Sequence, residues 1–271
     1  MRYAIYRCLY GEDFIQESIK SIRDHVDRVF VFWTDKAWGN TDRATYKGEE
    51  ILFPKKFDNI IDKIKELDDP KVELVYAHTD SPFNQFTHFV NEILLKNYDK
   101  PDTLIIPEVD HVFRTDHIKK GIELFESVKI PCASTRQVEL WKQPNFRIPE
   151  RHRLGTMFWN IKMVGCLPET GCHANPPHVP IMTNVYVHNM GFCISKEVMK
   201  WKHLTAIAFS TIVGDSPPNE KWLEEKWGAW TEDNQLNNLE ISQNQEHLIP
   251  YAEPYDIGEL PETIKEKYGY E

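Results

Sequence analysis

The sequence predicts an α/β protein with a mainly parallel sheet flanked by helices. Three observations predict it. Over the first ~130 residues, short apolar runs alternate with segments of helical period, the pattern of βαβ units. The chain has 271 residues, 41% of them hydrophobic and 27% charged, enough for a substantial core. Polar clusters then follow three of the apolar runs, at Arg7–Asp13, Asp35–Arg43 and Glu108–His111. In a parallel sheet these clusters share the carboxyl edge, where ligands bind.

Tyr3–Cys8 reads as a buried strand. Glu12–Asp24 places Phe14, Ile15, Ile19 and Ile22 at helical spacing. Asp27–Trp33 is β-branched and aromatic, a second strand, and the polar stretch 33–43 is a loop. Ile60–Leu67 is a helix and Val72–Tyr76 a strand. In Asn84–Lys96 five apolar residues from Phe86 to Leu94 share one helix face. Thr103–Ile106 is a short, fully apolar strand, and Ile118–Val128 a helix. The second half is less regular. Gln137–Met157 is rich in Arg, Trp and Pro. In Gln137–Arg153 the arginines Arg147, Arg151 and Arg153 read either as a phosphate- or anion-binding group or, more plainly, as a solvated basic loop, and Gly165–Pro180 reads as a long loop. Val185–Ser195 reads as strand and turn, Lys196–Ile212 and Trp222–Trp230 as helices, and the tail from Pro250 as a surface wrap.

The net charge of −10 argues against nucleic-acid binding, which needs clustered Lys and Arg. The N-terminal MRYAIYRCLYGEDF has no apolar leader core, and no run reaches the ~20 apolar residues of a membrane helix. The five cysteines are scattered. Together these set the expectation of a cytoplasmic protein without a transmembrane segment. Cys166, Cys172, His173 and His178 match no common zinc spacing.

The strongest chemical signal is Thr103-Leu-Ile-Ile-Pro-Glu108-Val-Asp110-His-Val-Phe113. A buried strand ends and two carboxylates emerge one residue apart. On an extended segment residues i and i+2 point the same way, so both can face one hard cation. The plainer alternative is a solvated strand-to-turn junction.

This stretch, with the approach FNQFTHFVNEILLKNYDKPDTLIIPEVDHVF, resembles the Asp-x-Asp region of family 2 and related GT-A glycosyltransferases, with Glu108 in place of the first Asp. The segment YAIYRCLYGEDFIQESIKSIRDHVDRVFVFWTD resembles the family's first strand, helix and second strand. Asp35 and Gly39–Arg43 resemble its Asp-Gly-Ser-Thr-Asp stretch with an insertion.

The resemblance implies one GT-A-like domain over 1–271, with a Rossmann-type nucleotide-sugar half (about 1–130) and an acceptor half (about 131–271). It implies a nucleotide-diphospho-sugar donor, a glycan, lipid or protein acceptor, and Mn²⁺ or Mg²⁺ at Glu108 and Asp110, Asp110 being the better ligand. Arg7, Asp35, Asp42 and Glu108 are the donor-side candidates from the first half. In the second half Arg147 and Arg151 are candidates for the diphosphate or an anionic acceptor. Some members bring a histidine to the metal; His188 is the candidate, with His203 second. The acceptor base is sought in Glu232-Asp233 or at Asp215, each also readable as a helix cap. Two rivals stay open: a sugar-phosphate nucleotidyltransferase, disfavoured by the acidic Arg7–Asp13 loop, and a non-catalytic carbohydrate-binding protein.

Overall fold

The computed structural model describes residues 1–9, 13–36, 42–53, 58–79, 85–149, 154–168, 179–213, 220–234, 239 and 251–270. Among these residues, ten strands form one mixed sheet and two form a separate hairpin.

The first half of the sheet is built from β1 (Arg2–Cys8), β2 (Arg28–Trp33), β5 (Val72–Tyr76) and β6 (Thr103–Ile106), all parallel, in the order β5-β2-β1-β6. Their side chains alternate between two cores. Ala4, Tyr6, Val29, Val31 and Ile105 face Ile15, Ile19 and Ile22 of α1 (Ile15–Ile22), and α2 (Asp58–Lys65) and α5 (Thr115–Ser127) join that layer. Tyr3, Ile5, Phe30, Phe32, Leu104 and Ile106 face the helical segment that begins with α3 (Gln85–His88). That segment passes through a π-helical stretch, Phe89–Leu94, before α4 (Leu95–Asn97). Burial on both faces explains the continuous apolar runs of these strands. Chain order reverses between β1 and β6, which opens a crevice at their carboxyl ends.

The second half departs from the expected loop. β8 (Cys132–Trp141), β9 (Gln143–Arg147) and β10 (Leu154–Asn160) occupy much of 132–160; β10 pairs antiparallel with β6 to extend the sheet and leads into the short helix α6 (Ile161–Val164). β11 (Ile181–Phe192) runs parallel to β8 and antiparallel to β7 (His111–Phe113), and the short β12 (Glu253–Pro254) closes on β9. Gly155 permits this crossing: a Cβ there would lie 2.4 Å from Thr135 Oγ1 and 2.6 Å from Val187 Cγ1.

The chain after the expected 33–43 loop also carries unexpected order. β3 (Arg43–Tyr46) and β4 (Glu49–Leu52) form a hairpin whose turn uses left-handed Lys47 and Gly48 (φ 54° and 79°). Its Ala44 and Tyr46, with Phe53 beyond, pack on Leu204, Ile207 and Ala208 of α7 (Lys196–Val213). On the neighbouring face of α7, Val198 and Met199 pack into a core that also holds Trp141, Trp222, Trp227 and Trp230. The hairpin and this aromatic core together fix α7 beside the sheet's carboxyl edge. The whole is a mixed α/β, Rossmann-like architecture.

Candidate active site

A cleft of about 380 Å³ opens at the β1/β6 switch point. Arg7, Cys8 and Leu9 enter it from the end of β1, Thr34 and Ala77 from the ends of β2 and β5. Phe32 and Phe89, stacked at 4.6 Å and 10°, line its apolar side. Glu108 and Asp110 come from the β6–β7 connection, Asn189 from β11, and Lys202 and Thr205 from α7. Lys202 and Thr205 are one helical turn apart and therefore share a face.

The Glu-x-Asp segment is a turn rather than an extended strand end. The His111 N–H donates to the Glu108 carbonyl at 3.0 Å. The rule that i and i+2 point alike therefore does not apply here, although both carboxylates line the cleft. Each is held by a cation. Arg7 donates to Glu108 through Nη2 (3.1 Å) and Nε (3.4 Å), with its guanidinium 5.0 Å from the Phe86 ring centre. Lys202 Nζ lies 2.8 Å from Asp110 Oδ2. The Asp110 side chain is 8% exposed and that of Lys202 36%. Asp110 also has backbone neighbours close by. The Met190 N–H donates to its carbonyl at 2.8 Å, and a Cβ on Gly191 would sit 2.9 Å from its Oδ2. Gly191 is thus the residue that lets β11 pass the carboxylate.

A second cleft, about 260 Å³, adjoins the first. The two share Asp110, Asn189 and Lys202, and the second adds Glu139, His203 and Trp222. Glu139 is 5% exposed and stands in register with Asn189 across the β8–β11 pair.

Several candidates lie elsewhere. His188 is next to Asn189 on β11, where successive side chains point to opposite faces. It lines a third cavity, of about 270 Å³, with Arg147, Tyr255 and Glu139, the last shared with the second cleft. Its Nε2 is 2.9 Å from the Tyr255 hydroxyl, and its buried Nδ1 finds no hydrogen-bond partner among the described residues. Burial pushes its pKa down to about 3, so the ring is neutral at pH 7. Arg147 is paired with Glu253 at 2.7 Å. The structure therefore does not bring His188 or Arg147 to Asp110. Asp35 accepts from the Tyr76 hydroxyl at 2.9 Å, one residue beyond the cleft-lining Thr34. Asp42 is exposed at the start of the β3–β4 hairpin, paired with Arg43 at 2.7 Å. Glu232 and Asp233 are exposed in a bend after Trp230 and line none of these three cavities. Asp215 and Arg151 lie outside the described residues.

The sequence reading missed Lys202, Thr205, Asn189 and Glu139 as cleft residues. A buried Glu within the run Val138-Glu139-Leu140-Trp141 was the available signal for the last. Lys202 had none, because its partner is 92 positions away.

The family resemblance implies a divalent cation between Glu108 and Asp110. The side chains as placed do not fit one. The Lys202 ammonium already compensates Asp110 through Oδ2, and Arg7 engages both oxygens of Glu108, so the two carboxylates are not free to share one cation. Among the described residues, no group of three or more His, Cys, Asp and Glu side chains converges.

No protein-family model matches the chain, and no curated protein matches it in sequence. Among solved structures it is similar to S. aureus TarS 1–349, at 10% identity over 76% of this chain and 66% of that one, TM-score 0.42. It is similar also to the same fragment in complex with UDP-GlcNAc, at 11% identity over 83% and 76%, TM-score 0.44. A third is 4-diphosphocytidyl-2C-methyl-D-erythritolsynthase from Anaerococcus prevotii, at 11% identity over 74% and 95%, TM-score 0.40. The first of these matches spans just under two thirds of the TarS 1–349 chain and the second about three quarters. At these scores the likenesses carry no assignment of activity, and the functional reading rests on the site.

Proposed function

We propose that the protein is a glycosyltransferase, moving a sugar from a nucleotide-diphospho-sugar to a hydroxyl of a glycan, lipid or protein acceptor. The observation that carries this reading is the pair of adjoining clefts sharing Asp110, Asn189 and Lys202 at the switch point of the sheet. A transfer reaction needs two substrates whose reacting atoms meet, and contiguous clefts hold them in that relation.

In this reading the first cleft takes the donor, with its diphosphate toward Arg7 and Lys202. The second takes the acceptor. Its buried carboxylate, Glu139, is the candidate general base. The acceptor oxygen bonds to the anomeric carbon, the bond from that carbon to the diphosphate oxygen breaks, and the hydroxyl proton passes to Glu139. The nucleoside diphosphate leaves with the bonding pair.

The test is a hydrolysis-and-transfer screen with nucleotide sugars and mixed acceptors, read as release of free nucleoside diphosphate. Release with one nucleotide sugar supports the reading. Pyrophosphate release from a nucleoside triphosphate and a sugar phosphate would replace it with nucleotidyl transfer. Glycan binding without any nucleotide binding would replace it with a carbohydrate-binding role.

A further inference from the structure

We propose that Lys202 supplies, against the donor's diphosphate, the positive charge that a divalent cation supplies in metal-dependent transfer, so that donor binding and transfer proceed without a metal. This rests on the reading of the first cleft as the donor site.

Three observations converge on Lys202. Its ammonium is the open member of a pair whose other member is buried: the Asp110 side chain is 8% exposed, that of Lys202 36%. Asp110 therefore fixes the ammonium from below while leaving it accessible from the cleft. An ammonium has three N–H donors, and the hydrogen bond to Asp110 uses one. The other two are available to phosphate oxygens.

Lys202 also borders both clefts, where the leaving diphosphate and the incoming acceptor must meet. Its backbone is held on two sides, by the β3–β4 hairpin against Leu204 and by the aromatic core against Val198 and Met199. A lysine on a fixed helix, aimed by a buried carboxylate, is a preorganised charge. It meets the charge that develops as the bond from the anomeric carbon to the diphosphate oxygen breaks. Asp110 becomes the residue that positions the ammonium instead of a metal ligand. Arg7, held by Glu108 in the same cleft, adds a second cation for the phosphates.

The experiment is calorimetric titration of the protein with the five common nucleoside diphosphates, in excess EDTA and again with Mn²⁺ or Mg²⁺. Three proteins are compared: the unmodified chain, Lys202→Met, and Lys202→Met/Asp110→Asn, which removes both charges and strands neither. The expected result is that one nucleoside diphosphate binds in EDTA, and that added metal changes its affinity less than threefold. Both variants, folded by circular dichroism, bind it at least tenfold more weakly. Binding that appears only with metal overturns the proposal and leaves the donor site standing. Undiminished binding by the folded double variant overturns it likewise. If no nucleoside diphosphate binds the folded protein with or without metal, the donor site falls and the proposal falls with it.

Discussion

The two halves of the sheet solve the same problem by different means. In the parallel half, β5-β2-β1-β6 is covered on both faces by helices, and Thr103 is the one buried polar residue its strands carry, the covering helices burying Glu17, Ser18, Ser21, Gln85 and Thr87. In the second, mixed half, the strands bury Ser134, Thr135, Gln137, Glu139, Thr156 and His188. A buried polar group costs free energy unless it is hydrogen-bonded, so a segment that buries so many has a demand other than stability. The parallel half is the scaffold. The mixed half places the side chains that make one crevice into two clefts.

That contrast can be broken first at His188. Its pKa is depressed in the folded state, to about 3 from 6.5. Above pH 6.5 the ring is neutral folded or unfolded, and the shift has no effect on stability. As pH falls from 6.5 to 3 the unfolded chain takes up the proton and the folded one does not. Unfolding free energy should drop across that window, by about 5 kcal/mol at most. Urea denaturation at several pH values checks this, and His188→Gln should flatten the acid limb. An unchanged limb in that variant would show that the mixed half is not where acid acts.

A second probe is Glu139→Gln, which keeps shape and removes basicity. Transfer should fall about a thousandfold, while melting temperature and donor affinity stay close to those of the unmodified protein. Equal losses in donor affinity and rate would place Glu139 on the donor side and erase the division of labour between the clefts. Lys202→Met is third. It leaves the buried Asp110 carboxylate without its cation and should cost about 3 kcal/mol of stability, most of it restored by adding Asp110→Asn. Thermal unfolding of the single and double variants measures that recovery. The smallest effect belongs to Asp42→Asn: the Asp42–Arg43 pair is exposed and solvent-screened, so melting temperature and nucleotide binding should not move.

How much of this was readable in advance follows the same division. Strands such as Thr103–Ile106 are buried on both faces and announce themselves as apolar runs. β8 is equally buried, but Ser134, Thr135, Gln137 and Glu139 interrupt its pattern, and Pro144 and Pro149 nearby suggest a loop. The hairpin turn at Lys47-Gly48 carried a legible glycine, but its strands are four residues each, too short for periodicity. Glu108 and Asp110 were found because they are adjacent in sequence and follow a strand. Lys202 and Glu139 reach the same place through long-range pairing, of α7 with the hairpin and of β8 with β11, and no local pattern encodes that.

The rim of the second cleft has one more property. Trp222 lines it, stacked on His203 with centroids 5.6 Å apart, edge-on to Trp141 at 6.3 Å, and tied by its Nε1 to the Leu239 carbonyl at 2.8 Å. The first cleft's aromatic side chains are instead Phe32 and Phe89. Indole emission responds to changes in solvent contact and to quenching neighbours, whereas phenylalanine is nearly dark under tryptophan excitation. Trp222 is one of eight tryptophans, so the difference in emission between the unmodified chain and Trp222→Phe isolates an optical label on the proposed acceptor side, and the order in which two substrates arrive can be followed without attaching a dye.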